Sequence, residues 1–451
     1  MIYYDVTDII NHAKFSTRVS GIQRVVLEGM KGLQGNFAIF FISPITGKTY
    51  TIKGLDDIDI KDLSVFSNLW VYADIFISND SNSIAVYIEK FKDRSNKFKI
   101  VNLLYKMARL SSVTKRISER LLKSKIRKNI HIEKRLIISE LTSFKENSLV
   151  ALFGGVWNFQ DKYEELFKER LQKVEKIFMV YDMIPIVSLF VPDELKGMFK
   201  KYIPFVLEHA NKIIVNSDSC KKDLINYAIE NGNSIPEIDI IHLSHKLPVV
   251  ETALNNANPS LPLRTRKLSR ETYALCVGSI ESRKNHINLI LTWTKFFNSE
   301  EYANQKLVIV GKWLWDTAEL NAALTYTGHV SGSIIVIPDA SDEEIAELYK
   351  NCRFTVYPSH YEGWGLPLGE SLTAGKPCLH FDTSSLTEAG YGLTTAVEYL
   401  DYKTFNQQFK EIMTNDSYYE KLVKKINDNK HILRDWTNFS SDLHEMFIRK
   451  I

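Results

Sequence analysis

The sequence predicts an α/β protein of two Rossmann-like, doubly wound domains, each a mainly parallel sheet with helices on both faces. Three observations predict it. The chain has 451 residues, too many for one ordinary core and suited to two domains of about 200 residues each. Short apolar runs alternate with helical patterns in both halves, the arrangement that builds a parallel sheet. Between the halves, residues 246 to 270 are rich in Asn, Pro and charge and lack periodicity, so they read as a linker.

In the first half, Ile2 to Val6, Phe37 to Ile42, Leu149 to Phe153, Ile177 to Tyr181 and Lys212 to Val215 read as strands. Gly21 to Leu33 and Asp193 to His209 read as helices that follow strands. A basic segment interrupts this rhythm. Ile100, Leu103, Leu104, Met107 and Leu110 recur at helical spacing, as do Val113, Ile117 and Leu121, which predicts a helical basic insertion over about residues 90–145. After the linker, Tyr273 to Val277, Lys306 to Val310, Ile334 to Ile337, Phe354 to Tyr357 and Pro377 to His380 read as strands. From about Thr404 the chain reads as helix throughout. The expected domains are residues 1–247 and 271–425, with a final helical stretch at 426–451.

Composition narrows the function class. The chain is 45% apolar and 25% charged, and its 12% aromatic content excludes a disordered chain. Cys220, Cys276, Cys352 and Cys378 are far apart and sit in or beside apolar stretches, so buried thiols in a reducing compartment are expected rather than disulfides or structural metal. The amino terminus has no basic region followed by a long apolar run, and no apolar stretch is long enough to span a bilayer. A cytoplasmic protein, or one peripheral on the inner membrane face, is expected. From Lys90 to Arg135 there are 16 basic residues against 3 acidic, a balance of +13 in a chain of net charge +3. A solvated face, an anionic membrane surface and a lipid-diphosphate acceptor all fit that segment. Nucleic acid does not, because the rest of the chain is acidic and carries no nucleic-acid motif.

Chemistry concentrates where strands end. Tyr357 to Glu370 reads Y-P-S-H-Y-E-G-W-G-L-P-L-G-E: a strand end, a loop with Gly363 and Gly365, then a helix start at Leu366 and Pro367. Glycines let backbone approach a ligand, and helix amides suit an anion such as a diphosphate. Glu362 and Glu370 can accept hydrogen bonds from sugar and ribose hydroxyls; an ordinary helix start with solvated carboxylates is the alternative. Val277 to His286 reads V-G-S-I-E-S-R-K-N-H after another strand, with Ser282 or Asn285 placed to cap the next helix. Arg283 and Lys284 can neutralise a diphosphate leaving group, or lie in a solvated turn.

Asp182, in Y-D-M-I-P after an apolar strand, either serves as a general base for an acceptor hydroxyl or caps the turn before Pro185. Ser20 to Val25, S-G-I-Q-R-V, opens a helix where Gly21 permits close approach and Gln23 and Arg24 can reach an anion. Lesser candidates are Gly154 in G-G-V-W-N, Ser217, Gly311 with Lys312, and the Ile337 to Ala340 backbone. The histidines show no metal-binding spacing.

The segment from Glu362 to Glu370 resembles the E-x7-E motif of family 4 retaining glycosyltransferases, and V-G-S-I-E-S-R-K-N-H resembles that family's phosphate-binding turn. The likeness is strong over about Tyr273 to Gly390 and looser before it. It implies the GT-B plan: two Rossmann-like domains facing a cleft, with the carboxyl-terminal helices leaning back on the first domain. It implies that Glu362 contacts the donor sugar and Glu370 the ribose, and that Gly363, Trp364, Gly365 and Leu366 hold sugar and diphosphate. Arg283 and Lys284 take the leaving group, and Gly21 lies on a loop facing the donor. Two departures stand out: Ser279 occupies a position where many members have Arg, and Tyr181 one where they often have His.

What the resemblance implies in function is transfer of a hexose from a nucleotide-sugar to a glycan or polyprenyl-diphosphate-linked acceptor, in bacterial O-antigen or capsule synthesis. Mannose from GDP-mannose is favoured, with retained anomeric configuration and neither cofactor nor metal. A catalytically silent GT-B scaffold or partner subunit is the alternative. A nicotinamide-dependent oxidoreductase is disfavoured by the absence of a G-x-G-x-x-G turn after an early strand.

Overall fold

The computed structural model describes residues 1–16, 19–55, 63–67, 69–78, 135–246, 268, 270–297 and 304–449. Most of the expected basic insertion and most of the expected linker lie outside the described residues.

The strands are β1 (Ile2–Asp5), β2 (Phe37–Ile42), β3 (Thr49–Lys53), β4 (Ile137–Glu140), β5 (Leu149–Leu152), β6 (Glu175–Val180), β7 (Lys212–Val215), β8 (Glu237–Ile240), β9 (Tyr273–Val277), β10 (Lys306–Val310), β11 (Ile334–Ile337), β12 (Phe354–Tyr357), β13 (Cys378–Asp382) and β14 (Thr395–Glu398). Among the described residues they form an eight-stranded sheet, β4-β3-β2-β1-β5-β6-β7-β8, and a six-stranded sheet, β11-β10-β9-β12-β13-β14.

The second sheet is parallel at each pairing. Its order places the first strand between the second and the fourth, so the chain reverses direction of travel between β9 and β12. In open α/β sheets such a reversal leaves a crevice at the carboxyl ends of the strands, where ligands bind. The first sheet has the same reversal between β1 and β5, which both pair in parallel with their neighbours.

The apolar runs form the buried strands. β9 is buried along its whole length, and Tyr273, Leu275 and Val277 pack with Val308, Val310, Ile337 and Leu348 in one core cluster. Burial of each such side chain contributes about 1.5–3 kcal/mol, which explains why unbroken apolar runs here are strands covered on both faces.

One expectation is corrected. The described tail of the predicted helical insertion, residues 135–145, carries β4, which pairs antiparallel with β3. Only Ile138 of β4 is buried. The backbone hydrogen bonds to β3 decide its conformation, and β3 in turn pairs antiparallel with β2.

The chain resolves into two compact units. One comprises Met1–Met179, His209–Ile213 and Ser440–Ile451; the other comprises Val180–Glu208 and Ile214–Phe439. In the first unit, Phe153 stacks on Phe447 at 6.1 Å between ring centroids, so the end of the chain helps close that unit's core. Among the described residues, no helix is long and apolar enough to cross a membrane. All four cysteines are buried free thiols.

Candidate functional site

The reversal point of the second sheet brings together the loops after β9 and β12. Three hydrogen bonds stitch them: the Asn285 side-chain amide donates to Pro358 O at 3.0 Å, His360 N donates to Arg283 O at 2.9 Å, and the Arg283 guanidinium donates to Tyr361 O. Asn285 adopts a left-handed conformation with φ 56°, which suits Asn among side-chain-bearing residues. The expected side-chain cap by Ser282 or Asn285 is therefore replaced: Asn285 spends its amide on the neighbouring loop, and the Ser282 hydroxyl is buried without a hydrogen-bond partner.

Glu362 sits at the centre. One carboxylate oxygen accepts from Lys284 Nζ at 2.5 Å and from Ser359 Oγ at 2.8 Å. The other accepts from Arg283 at 3.0 Å. Arg283 also pairs with buried Glu281. Burial alone would raise the Glu362 pKa, but Lys284 and Arg283 outweigh it and hold the carboxyl down at about 2. Burial alone would lower the Arg283 pKa, but the Glu362 and Glu281 carboxylates outweigh it and hold the guanidinium above its ordinary value. The cluster thus sets two basic side chains, Arg283 and Lys284, against two acidic ones, Glu281 and Glu362, in a desolvated setting. Broken symmetrically it is neutral; broken at one member it leaves an uncompensated buried charge.

The loop backbone is equally fixed. Glu362 N donates to Ser384 Oγ at 2.8 Å, and Ser385 Oγ donates to Glu362 O at 2.9 Å. Gly363 follows, where a Cβ would fall 2.8 Å from the Asp182 Cβ and 3.0 Å from Tyr181 O, so the site requires glycine. Gly365 has φ 103° and precedes the Leu366–Thr373 helix, a conformation that only glycine adopts readily.

Asp182 therefore lies against the motif loop. Its Oδ1 accepts from Ile184 N at 3.0 Å, tying down the start of the short Ile184–Val187 helix. Desolvation raises its pKa, partly offset by Arg283. Ser217 Oγ donates to Gly363 O at 3.2 Å and caps its own helix through Cys220 N. The Gly278–Ser279 turn runs under Lys284, whose Cε lies 3.6 Å from the point a Gly278 Cβ would occupy. Gly311 N donates to Ile337 O and Ile280 N to Lys312 O, so the ends of β9, β10 and β11 form one rim.

Trp364 is buried, its ring 4.8 Å from that of His242 and 6.0 Å from that of His245. Its side chain packs the motif loop onto the segment after β8. Glu370 is buried and accepts from Tyr349 Oη at 3.0 Å. Beside Trp364, the ligand atoms of Asp218, His242 and Glu388 lie within 4.8 Å of one another. Glu388 is engaged there: it accepts from Asp218 N and lies 2.9 Å from His242 Nε2.

Gly21 belongs to the first unit and opens the Gly21–Lys31 helix. The neighbouring Gln23 does not extend toward a ligand: its amide donates to Asp8 Oδ2 at 2.6 Å, and its carbonyl accepts from Ser20 Oγ. Asp8 is the residue that sequence reasoning missed. It stands at the first sheet's reversal point, beside the Gly154–Gly155 turn after β5. The signal was available in D-V-T-D at the end of the first strand, a polar cluster following an apolar run.

Comparisons with known proteins relate parts of the chain to glycosyltransferases. Residues 263–429 match the family model described as glycosyl transferases group 1. The serotype-specific mannosyltransferase WbdA of Escherichia coli is 24% identical over 244 residues, 52% of this chain and 29% of that protein. The O-antigen chain mannosyltransferase B of Escherichia coli is 28% identical over 230 residues, 51% of this chain and 58% of that protein. The chain thus spans 29% and 58% of the lengths of these curated relatives.

Among solved structures, HepE of Anabaena in complex with UDP and glucose superposes with TM-score 0.52 at 12% identity, covering 67% of this chain and 78% of that one. WaaG, a glycosyltransferase involved in lipopolysaccharide biosynthesis, gives TM-score 0.50 at 15% identity, covering 64% of this chain and 83% of that one. The fold shared with them is GT-B, as the sequence predicts.

Proposed function

We propose that this chain is a nucleotide-sugar-dependent glycosyltransferase of the family 4 type. It moves a hexose, with mannose from GDP-mannose as the first choice, to a glycan or polyprenyl-diphosphate-linked acceptor in bacterial surface polysaccharide synthesis. Configuration at the anomeric carbon is retained and no bound metal is used. The observation that carries the proposal is Glu362 held between Arg283 and Lys284 at the second sheet's reversal point, one loop ahead of a helix amino terminus. The mannosyltransferase relatives support the choice of sugar.

The chemistry follows from the charges. Glu362 stays ionised and accepts hydrogen bonds from donor hydroxyls. Lys284 and Arg283 stabilise the diphosphate as its bond to the anomeric carbon breaks and negative charge develops. Asp182, raised by desolvation, orients or deprotonates the acceptor hydroxyl that forms the new glycosidic bond. Glu370, Gly363, Gly365 and Leu366 complete the donor subsite, with Ser279 on the turn beneath Lys284.

The test is a thermal-shift panel of GDP, UDP and dTDP with their sugar conjugates, followed by transfer assays with and without EDTA. A ligand at 100 times its dissociation constant adds about 2.7 kcal/mol to stability. Stabilisation by one nucleotide and its conjugate, with transfer that survives EDTA, supports the proposal. No response to any nucleotide in folded protein favours the silent scaffold instead.

A further inference from the structure

Next to the Glu362 cluster, the surface carries apolar and aromatic side chains in an unusual concentration. Leu189 is 86% exposed and Phe190 37%. The Phe190 ring stacks on the His360 imidazole with centroids 4.1 Å apart and planes 9° apart. His360 Nδ1 lies 2.9 Å from Tyr399 Oη. Tyr399 and Tyr402 are both exposed while their rings pack edge-on to Phe381. Exposed apolar patches of this kind on a folded protein mark binding surfaces.

The strip is built into the site from two sides. His360 stands two residues before Glu362; its N–H donates to Arg283 O at 2.9 Å, and its carbonyl accepts from Thr383 Oγ1 at 2.9 Å. Leu189 and Phe190 follow Ser188 after the short Ile184–Val187 helix, whose first N–H donates to Asp182, and Phe190 N donates to Ser188 Oγ at 3.2 Å. The phenyl face is therefore held in a fixed orientation relative to both groups assigned to the reaction. Burial lowers the His360 pKa below its ordinary value.

We infer that Phe190, backed by His360, which Tyr399 hydrogen-bonds in turn, is a stacking platform for a pyranose ring of the acceptor glycan; this rests on the glycosyltransferase reading above. The chemistry favours a sugar over a lipid chain. A pyranose has an apolar face of C–H bonds that matches the electron-rich face of an aromatic ring. Its equatorial hydroxyls need polar partners nearby, and Tyr399 Oη stands 2.9 Å from Nδ1 of the imidazole on which Phe190 is stacked. A polyprenyl chain would gain nothing from the tyrosine hydroxyls and would need them desolvated.

The experiment uses the full chain and two probes, methyl α-mannoside and farnesyl diphosphate, read by saturation-transfer NMR. The nucleotide-induced thermal shift reports the donor side separately. The expected result is saturation of sugar C–H protons on the wild type, an affinity about tenfold lower in Phe190→Ala, the size of one lost ring contact, recovery in Phe190→Tyr, and the same nucleotide shift in all three. Absence of sugar saturation on the wild type overturns the assignment. So does equal saturation in Phe190→Ala, or saturation of the farnesyl chain without the sugar. Loss of the nucleotide shift in the wild type instead defeats the glycosyltransferase reading on which the assignment rests.

Discussion

Both sheets reverse their strand order beside their first strand, and buried carboxylates stand at both reversals, yet the electrostatics are opposite. In the second sheet, Glu362 meets two cations and its pKa falls to about 2. In the first, Asp5 at the end of β1 is held by Thr7 N at 3.0 Å and by the hydroxyls of Thr7 and Tyr163, and burial raises it to about 6. Asp8, three residues on, is raised by the same cause despite hydrogen bonds from Gln23 and the Gly155 backbone. Hydrogen bonds from neutral donors satisfy a carboxylate without overcoming its desolvation, whereas paired cations do both. The comparison teaches that the fold supplies the crevice twice, and that the residues after the strands decide whether the carboxylate buried there is held charged.

The sharpest way to break this contrast is to remove a cation. In the Arg283→Met variant, buried Glu281 and Glu362 lose their shared partner, which should cost about 3–5 kcal/mol. Urea unfolding checks it; a loss under 1 kcal/mol would mean that the pair is solvated. Lys284→Ala should lower the transfer rate by about 10²- to 10³-fold, as expected when one group stabilising developing charge is lost. Steady-state assays with the donor identified by thermal shift read this out, and an unchanged rate would remove Lys284 from the chemistry.

The acid profile sharpens the comparison further. Glu362 is depressed from 4.5 to about 2, so its stabilisation is present above pH 4.5 and disappears as pH falls toward 2. The wild type should lose on the order of 3 kcal/mol relative to Glu362→Gln across that window. Asp5 has the opposite sign: raised from 3.8 to about 6, its native form holds the proton longer than the unfolded chain. As pH rises from about 4 to 6, the wild type should lose stability relative to Asp5→Asn, by slightly less than the Glu362 effect. Denaturation curves of the three proteins at half-unit pH steps measure both slopes. Parallel profiles for wild type and Asp5→Asn would show that water or a cation reaches Asp5.

Much of the fold was legible because burial and pattern coincide. Phe37–Ile42, Lys306–Val310 and Ile334–Ile337 are apolar runs bounded by turns, and the strands match them residue for residue. The Asp193–His209 helix matches equally well, although Pro204 lies inside it. What escaped were β3, β4, β8 and β14, strands at or near sheet edges. Thr49–Lys53 and Thr395–Glu398 mix apolar and polar residues because only part of each strand is covered. Their conformation comes from the neighbour's backbone hydrogen bonds, which no local pattern records.

The sequence by itself determined the architecture and the placing of three members of the ionic cluster at strand ends. Strand-ending motifs in a parallel sheet place Arg283, Lys284 and Glu362 at carboxyl ends, whatever the details of packing. Only the tertiary structure decided what those residues do to one another. It set Glu281 as the second anion, turned Asn285 to Pro358, committed Gln23 to Asp8, buried Trp364 against two histidines and laid Phe190 on His360. These contacts join residues 2 to 170 positions apart. Their energies depend on desolvation and on distances of a few ångströms, quantities that exist only once the sheets have brought the loops together.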